Sequence, residues 1–235
     1  VVYDFRQNDL NNGGQGAPLS PVFHMLLKNK YKLKLPLVIL NIGGIANMTG
    51  IDLEGHMYSQ DIGPGNCLID QWIRQNSKRK YDDRGEIAKS GKINKIILNQ
   101  ALEDFSYNNS FKSYDIKNFD TSFVRGLSLE DGAATLTEYT SEILQYHLKM
   151  SFDGPKENIL TTGGGRKNKF LVKRIEEKIN IPIKPIDDFG IDGDFVESQA
   201  FAYLAIRSFL KLPISFPETT GCKEACTGGV IVRNF

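Results

Sequence analysis

Apolar positions change their spacing along the chain, and each spacing predicts a different element. The segment that begins at Pro21 places apolar residues at helical intervals, with proline at a position that the first helical turn tolerates. After Pro36, the run LVILNIGG is apolar up to its glycines and predicts a buried strand that ends in a turn. IANMTGID and HMYSQDIG follow as two more strands. Together the three strands predict an antiparallel meander.

Helices and strands alternate in the rest of the chain. Helical spacing predicts helices over 66–75, 84–90, 92–102, 129–150, 167–179 and 196–210. The runs ENILTTGG and IPIKPI predict strands, and 228–232 predicts a short strand or an extended tail. The resulting order, βββ-α-β-α-β-α, is the ribonuclease-H-like topology. We therefore expect an α/β fold with a mixed sheet flanked by helices.

Composition excludes several classes of protein. Among 235 residues, 29 Lys and Arg balance 28 Asp and Glu, which leaves a formal net charge of +1. This balance argues against a nucleic-acid partner. No apolar run reaches the length of a membrane span, so we expect no membrane partner. The three cysteines suit a reducing compartment, and with only three histidines they predict no structural metal site. We expect a soluble cytoplasmic protein.

Three glycine clusters each follow a predicted strand: NIGGIAN at 41–47, DIGPGN at 61–66 and TTGGG at 161–165. Glycine lets backbone N–H groups approach an anion, and a following helix adds positive potential. Tight turns need glycine anyway, yet three such turns in one α/β layer favour nucleotide binding. None matches a Walker-type loop or the dinucleotide-binding fingerprint.

Four charged residues are candidates for chemistry. Asp61 is predicted to end the third meander strand, where its carboxylate is either a general base or the cap of the following helix. Asp4 and Arg6, followed by Asp9, precede the GGQGAP loop, where an arginine between two acids either clamps a ligand or forms a structural ion pair. Glu197 begins the 196–210 helix, a position that compensates the helix dipole without any further function.

The motifs DFRQND, GGQGAPLSP, NIGGIAN, DIGPGN, GGGRKN and ESQAFAYLA occur in this order. Together they closely resemble the 1,6-anhydro-N-acetylmuramic acid kinase family of the actin/hexokinase-like ATPase superfamily. The resemblance extends from Val1 to about Gly229. GGQGAPL and DIGPGN are its specific parts, whereas isolated Gly-Gly pairs are not.

The resemblance implies a two-lobed kinase that uses ATP and Mg²⁺, and a homodimer. It implies that a 1,6-anhydro amino sugar from bacterial peptidoglycan recycling is opened by water and phosphorylated on O6, with Asp61 as the general base. Asp4, Arg6 and Glu197 are implied to face the sugar. The implied nucleotide-binding residues are Gly43, Gly44, Asn47, Gly63, Gly65, Asn66, Gly163, Gly164, Gly165 and Asn168. No protein ligand to the metal is implied.

The chain departs from the family pattern at two places. Ile62 replaces the Thr of the family's D-T-G-P-G-N, and the stretch 112–120 keeps only Lys112, Ser113 and Phe119 of K-S-T-G-R-E-x-F-N, with Ile116 in place of an Arg. The second departure removes a charged bidentate donor. It leaves open the alternative that the protein is another sugar or polyol kinase of the same superfamily.

The family's first phosphate turn, G-T-S-x-D-G, and its C-H-G-Q-T segment do not occur in the chain, which starts at Val1 without Met. We therefore expect a truncated chain, with 1–35 a remnant of the N-terminal lobe and crossover helix and 36–235 the C-terminal lobe. Half of the phosphate clamp would then be missing, so we expect the isolated chain to be inactive. A truncated, non-catalytic nucleotide-binding module is the remaining alternative.

Overall fold

The computed structural model describes residues 1–105, 113–150 and 158–232. Its strands are β1 Val2–Tyr3, β2 Leu37–Ile42, β3 Ile45–Ile51, β4 Met57–Pro64, β5 Asn158–Thr162, β6 Ile183–Pro185 and β7 Val230–Ile231. Its α-helices are α1 Gln7–Asn11, α2 Pro21–Tyr31, α3 Cys67–Asn76, α4 Glu86–Ser90, α5 Lys95–Glu103, α6 Leu129–Met150, α7 Lys169–Ile179, α8 Val196–Phe209 and α9 Pro217–Thr220.

The main sheet has five strands in the order β4-β3-β2-β5-β6. β2, β3 and β4 form the antiparallel meander, and β5 and β6 extend it in parallel with β2. This order confirms the mixed sheet and the ribonuclease-H-like topology. β7 is not part of this sheet, because it pairs antiparallel with β1 in a separate two-stranded ribbon.

The central strand β2 shows why the sheet lies between two layers of helices. Its side chains alternate between two cores: Val38, Leu40 and Ile42 join the core that contains α3, α6 and α7. Leu37 and Ile39 join the core that contains α2 and α8. Because successive strand residues point to opposite faces, a continuous apolar run requires burial on both faces.

The N-terminal segment shares the second of these cores. Phe23 and Leu27 of α2 pack with the sheet residue Ile39 and with Val196 and Ala200 of α8. The structure adds the short helix α1, for which the spacing of apolar residues gives no signal. The division into a remnant at 1–35 and a lobe at 36–235 stays a prediction. In the described ranges, no helix has both the length and the apolarity to cross a membrane.

Candidate active site

A cavity of about 390 Å³ opens where β2 and β5 end. The loop 15–20 and the first turns of α2 and α8 form its remaining walls, together with part of the 113–114 segment. This volume lies within the range of small-molecule sites, which run from about 300 to 1,000 Å³. In α/β folds, ligands bind in the crevice outside the carboxyl ends of the strands, at the point where the strand order reverses.

Four polar side chains form a row across the floor of this cavity. Asn47 of β3 is opposite both Asp61 of β4 and Asn41 of β2, and Asn41 is opposite Thr162 of β5. All four line the cavity. The Thr162 hydroxyl donates to Asn41 Oδ1 at 3.2 Å, whereas Asn47 Oδ1 is buried and has no partner among the described residues. The row therefore includes a buried acceptor that no described residue satisfies.

Asp61 lies within β4 and not at its end, because a bulge between Ala46 and Asn47 lets the β3–β4 ladder continue to Pro64. Its Oδ2 accepts a hydrogen bond from the Tyr114 backbone N–H at 2.9 Å. Burial raises the pKa of Asp61 above its usual value, and the Tyr114 amide, Arg6 and Ser113 partly oppose that rise. The N-cap position of α3 belongs to Asn66, so the structure does not show Asp61 as a helix cap.

The three residues predicted to face the sugar do not all reach the cavity. Arg6 and Glu197 line it together with Asp61. Asp4 is not among the lining residues: its Oδ1 accepts from the Gln7 N–H at 3.3 Å at the start of α1. Among the ion pairs of the described residues, none joins Arg6 to an acid. Its role as a clamp for a ligand stays a prediction.

The loop at 15–20 is held by a buried carboxylate that sequence reasoning left without a separate role. Asp9 is 1% exposed. Its Oδ2 accepts from the Gly16 N–H at 2.6 Å, and its Oδ1 accepts from the Thr220 hydroxyl at 2.6 Å. Asp9 thus connects the cavity loop to the segment around α9, which lies more than 200 residues away in the chain.

The glycine cluster 163–165 forms what we call the open turn. Gly163 and Gly164 line the cavity. A Cβ at Gly164 would meet no atom within 4 Å, so a ligand can approach its backbone, whereas Gly163 has φ +77° and lies close to Asn41. The Gly163 carbonyl accepts from Arg166 Nη1 at 3.0 Å, and Arg166 also pairs with Asp187. This network holds the open turn in place.

Two other predicted nucleotide residues have structural partners near this turn. Gly165 is buried, and a Cβ there would overlap the side chain of Ile42. Asn168 is also buried, and its Oδ1 accepts from the Leu171 N–H at 3.0 Å. Asn168 is therefore the N-cap of α7. Gly165 and Asn168 shape the backbone that carries the open turn.

The remaining glycine clusters, at 43–44 and 63–66, form what we call the paired turns, because they hydrogen-bond to each other. The backbone N–H groups of Gly65 and Cys67 donate to the Gly44 carbonyl at 3.0 and 3.2 Å, and that of Asn66 donates to the Gly43 carbonyl at 2.7 Å. These three amides at the start of α3 are thus occupied by protein. The paired turns join β2–β3 to α3.

Close packing explains the other glycines of the paired turns. A Cβ at Gly65 would overlap the Gly43 carbonyl oxygen, and one at Gly63 would lie 2.6 Å from Ile143 of α6. None of the four glycines in these turns lines the cavity. Their role in nucleotide binding therefore stays a prediction that no contact with the cavity supports.

The two departures from the family pattern lie in different environments. Ile62 is fully buried in the core under the sheet, on the face opposite Asp61. The threonine hydroxyl that the family pattern has at this position would therefore lie in the core and not in the cavity. Ile116 is exposed and lies close to Gly44. Ser113 donates to the Ala17 carbonyl of the cavity loop at 3.2 Å, and Lys112 lies outside the described residues.

His24 is a cavity residue that sequence reasoning missed. It belongs to α2, is 1% exposed and forms part of the cavity wall. Its Nδ1 lies 2.7 Å from Thr49 Oγ1. Burial lowers the pKa of His24 to about 4, so the ring is neutral near pH 7. A lone histidine on an apolar helix face is more often a core residue than a ligand, so no local pattern indicates His24 as a site residue.

A family model described as anhydro-N-acetylmuramic acid kinase matches residues 1–234 of the chain. The chain belongs to this family. It is 49% identical to the anhydro-N-acetylmuramic acid kinase of Pelagibacter ubique, over 100% of the chain and 65% of that protein. It is 40% identical to the kinase of Zymomonas mobilis, over 98% of the chain and 63% of that protein. The chain spans slightly less than two thirds of the length of these curated relatives.

Solved structures resemble the chain more distantly than its family relatives do. A xylulose kinase from Rhodospirillum rubrum is 10% identical with a TM-score of 0.49, covering 78% of this chain and 40% of that one. An activator of 2-hydroxyisocaproyl-CoA dehydratase from Clostridium difficile is 14% identical with a TM-score of 0.47, covering 76% of this chain and 64% of that one.

Proposed function

We propose that the protein carrying this chain is an ATP-dependent kinase that hydrolytically opens 1,6-anhydro-N-acetylmuramic acid and phosphorylates its O6. The product would be N-acetylmuramic acid 6-phosphate, formed in peptidoglycan recycling. Membership of the family over residues 1–234 is the observation that carries this proposal. The presence of Asp61, Arg6 and Glu197 in one cavity supports it.

Asp61 is the group that we assign as the general base. It would take a proton from the water that attacks C1 of the sugar, while the bridging O6 leaves C1 and takes the γ-phosphoryl group of ATP. A base for this step must lie within hydrogen-bond reach of the water and stay ionised. The Tyr114 N–H fixes Oδ2 of the Asp61 carboxylate at 2.9 Å, and we assign Oδ1 to the water.

Positioning and charge neutralisation account for most of the catalysis of phosphoryl transfer. Arg6 is the cationic side chain that the cavity wall offers near Asp61, and we assign it to the anionic part of the sugar. The open turn is where the backbone approaches the cavity without obstruction, so we assign the ATP phosphates to Gly163 and Gly164.

Mg²⁺ is part of the proposal as the companion of ATP. Among the described residues, two groups of three metal-capable side chains occur, Asp9–Cys222–Cys226 and Asp52–Glu54–His56, and neither lines the cavity. Mg²⁺ in kinases is held largely by substrate phosphates, waters and one or two carboxylates. The cavity has two lining carboxylates besides Asp61. Asp194 pairs with Arg166 and Lys167, so we assign the metal to Glu197.

The test is a coupled assay of the full-length protein with the anhydro sugar and Mg-ATP. We expect Asp61→Asn to lower kcat by roughly 10²- to 10⁴-fold, because an amide cannot accept the proton. Asp52→Asn is the matched control, since Asp52 lies at the exposed β3–β4 turn outside the cavity. Absence of sugar phosphate with the wild type, or an unchanged Asp61→Asn, would refute the proposal. Turnover of another polyol in its place would favour the alternative kinase.

The pH profile gives a second readout of Asp61. Burial raises its pKa, so its protonated, inactive form persists to a higher pH than for an exposed aspartate. We expect kcat/KM to be constant above that raised pKa and to fall as the pH drops through it. An acid limb at the usual pKa of an exposed aspartate would contradict this expectation.

Further parts of the proposal concern the whole protein. We propose a cytoplasmic location, since the substrate ATP is found there, and a homodimer, which the family resemblance implies. The division into a remnant at 1–35 and a lobe at 36–235 belongs to the same picture. Light scattering of the purified full-length protein tests the dimer, and a mass equal to one chain would refute it.

A further inference from the structure

His24 is the first of three polar side chains that lead away from the cavity wall. Its Nδ1 lies 2.7 Å from Thr49 Oγ1, and Thr49 Oγ1 lies 3.4 Å from Ser59 Oγ. Ser59 Oγ in turn donates to the Met48 carbonyl at 2.7 Å. Thr49 and Ser59 do not line the cavity. Nδ1 therefore lies on the edge of the ring that faces the protein.

Counting protons along this chain assigns the tautomer of His24. The Met48 carbonyl can only accept, so it takes the single hydroxyl proton of Ser59. Ser59 Oγ then accepts from the Thr49 hydroxyl, and Thr49 Oγ1 accepts from Nδ1–H of His24. This is the one assignment in which both contacts of Thr49 are hydrogen bonds. A neutral ring with its proton on Nδ1 has a lone pair on Nε2.

We propose that Nε2 of His24 accepts a hydrogen bond from an O–H or N–H group of the bound sugar and thereby selects sugars that carry this donor. The inference rests on the proposed function. His24 shares its cavity with Asp61, Arg6 and Glu197. Of the polar atoms contributed by these four residues, only those of Arg6 are obligate donors, so a ligand that binds here must itself supply O–H or N–H groups.

The chemistry of the proposed substrate matches this requirement. An N-acetylated 1,6-anhydro sugar with an ether at C3 has two hydrogen-bond donors, the C4 hydroxyl and the C2 acetamido N–H. A site built to accept from a donor rejects an analogue that lacks it, because the buried acceptor is then left unpaired. His24 would thus distinguish this sugar from analogues in which that donor is absent or is replaced by an ester.

The first experiment determines the tautomer directly. Long-range ¹H–¹⁵N correlation NMR of the histidine-labelled protein separates protonated from unprotonated ring nitrogens. We expect His24 to have a protonated Nδ1 and an unprotonated Nε2, with the exposed His56 as an internal reference. Thr49→Val, which keeps the shape but removes the hydroxyl, should shift His24 to a mixture of tautomers. A protonated Nε2 in the wild type would overturn the inference.

The second experiment asks whether His24 and a sugar donor act on each other. We expect kcat/KM of the full-length wild type to fall roughly tenfold for one of two analogues, 4-deoxy or 2-O-acetyl. His24→Leu should lose a similar factor on the natural sugar and little more on that same analogue, since both changes remove one bond. His24→Gln, which offers an acceptor at about the same reach, should recover part of the loss.

The outcomes separate this inference from the proposed function. Wild type without activity on the anhydro sugar refutes the proposed function, and the inference falls with it. The second case is an active wild type in which the loss of kcat/KM in His24→Leu multiplies with the loss for each of the two analogues. That result refutes the inference alone, because a merely structural histidine would produce it.

Discussion

The paired turns and the open turn have similar sequences and different roles. Each contains glycines that follow a buried strand. Gly43 and Gly44 then lead into β3, whereas the 63–66 cluster precedes α3 and the open turn precedes α7. In the paired turns, the amides of Gly65, Asn66 and Cys67 donate to carbonyls of Gly43 and Gly44. In the open turn, Gly164 faces the cavity with no atom close to it.

The difference shows what a glycine cluster does and does not predict. Gly65 of the paired turns needs glycine because another backbone segment lies against it, whereas a Cβ at Gly164 would meet no atom within 4 Å. Spacing in the sequence cannot distinguish the two cases. The carbonyl partners of the amides at the start of α3 belong to the β2–β3 turn, which is a separate segment of the chain. Four substitutions test this difference between the two kinds of turn.

Gly65→Ala should have the largest effect on stability. An added Cβ would overlap the Gly43 carbonyl oxygen, which is backbone and cannot rotate away. We expect the free energy of unfolding to fall by about 3 kcal/mol, as measured by urea unfolding. Gly164→Ala is the matched control without steric conflict. A Gly65→Ala variant as stable as the wild type would mean that the paired turns are not packed as described.

Gly163→Ala should have the next largest effect, because it combines strain with a close contact. Gly163 has φ +77°, and its Cβ would lie 2.5 Å from Asn41 Oδ1. We expect a loss of about 2 kcal/mol in urea unfolding. Gly190→Ala shares φ +77° but meets no atom within 4 Å, so it measures the strain alone. Equal losses in the two variants would show that the contact with Asn41 contributes nothing.

Asn168→Ala should cost about 1 kcal/mol of stability, because it removes the side-chain cap of α7. Asn94→Ala is its control, since Asn94 caps α5 through the Ile97 N–H at 3.1 Å. Urea unfolding of both variants should give similar losses. If Asn168 also binds nucleotide, as the family resemblance implies, only Asn168→Ala will in addition raise the KM for ATP. Unchanged KM in both would leave Asn168 as a cap alone.

Gly164→Ala should have the smallest effect on stability, within about 0.5 kcal/mol, because its Cβ enters open space. Its effect should appear in ligand binding, as a higher KM for ATP with little change in the urea midpoint. This combination would distinguish the open turn from the paired turns most sharply. An unchanged KM would place the phosphates elsewhere in the cavity.

Much of the fold could be predicted from the sequence, since local periodicity carries it. The predicted helix at 129–150 coincides with α6, and the meander strands agree within a residue or two. Strand β2 was recognisable because burial on both faces makes it continuously apolar. The helix α1 was not, because Gln7–Asn11 is mostly polar and is held by contacts far along the chain, such as Asn8 Nδ2 donating to the Thr227 carbonyl at 2.6 Å.

Less of the candidate site could be predicted, because pairing between strands assembles it. Asn41 and Thr162 were visible only as polar residues at the ends of apolar strands, and nothing local indicates that they lie side by side. The bulge that keeps Asp61 inside β4 is likewise a property of the β3–β4 pair. His24 required the packing of α2 on the sheet before its relation to Thr49 could appear.

The hydrogen bonds of Asp9 have a consequence for the order in which segments of the chain fold during synthesis. During synthesis, Asp9 emerges from the ribosome more than 200 residues before its partner Thr220. The loop at 15–20 therefore cannot reach its final form on a partly made chain. Contacts between residues so distant in sequence form slowly. We therefore expect the wall of the cavity that contains the GGQGAPL motif to form after the β2–β3–β4 meander, whose strands follow one another in the chain.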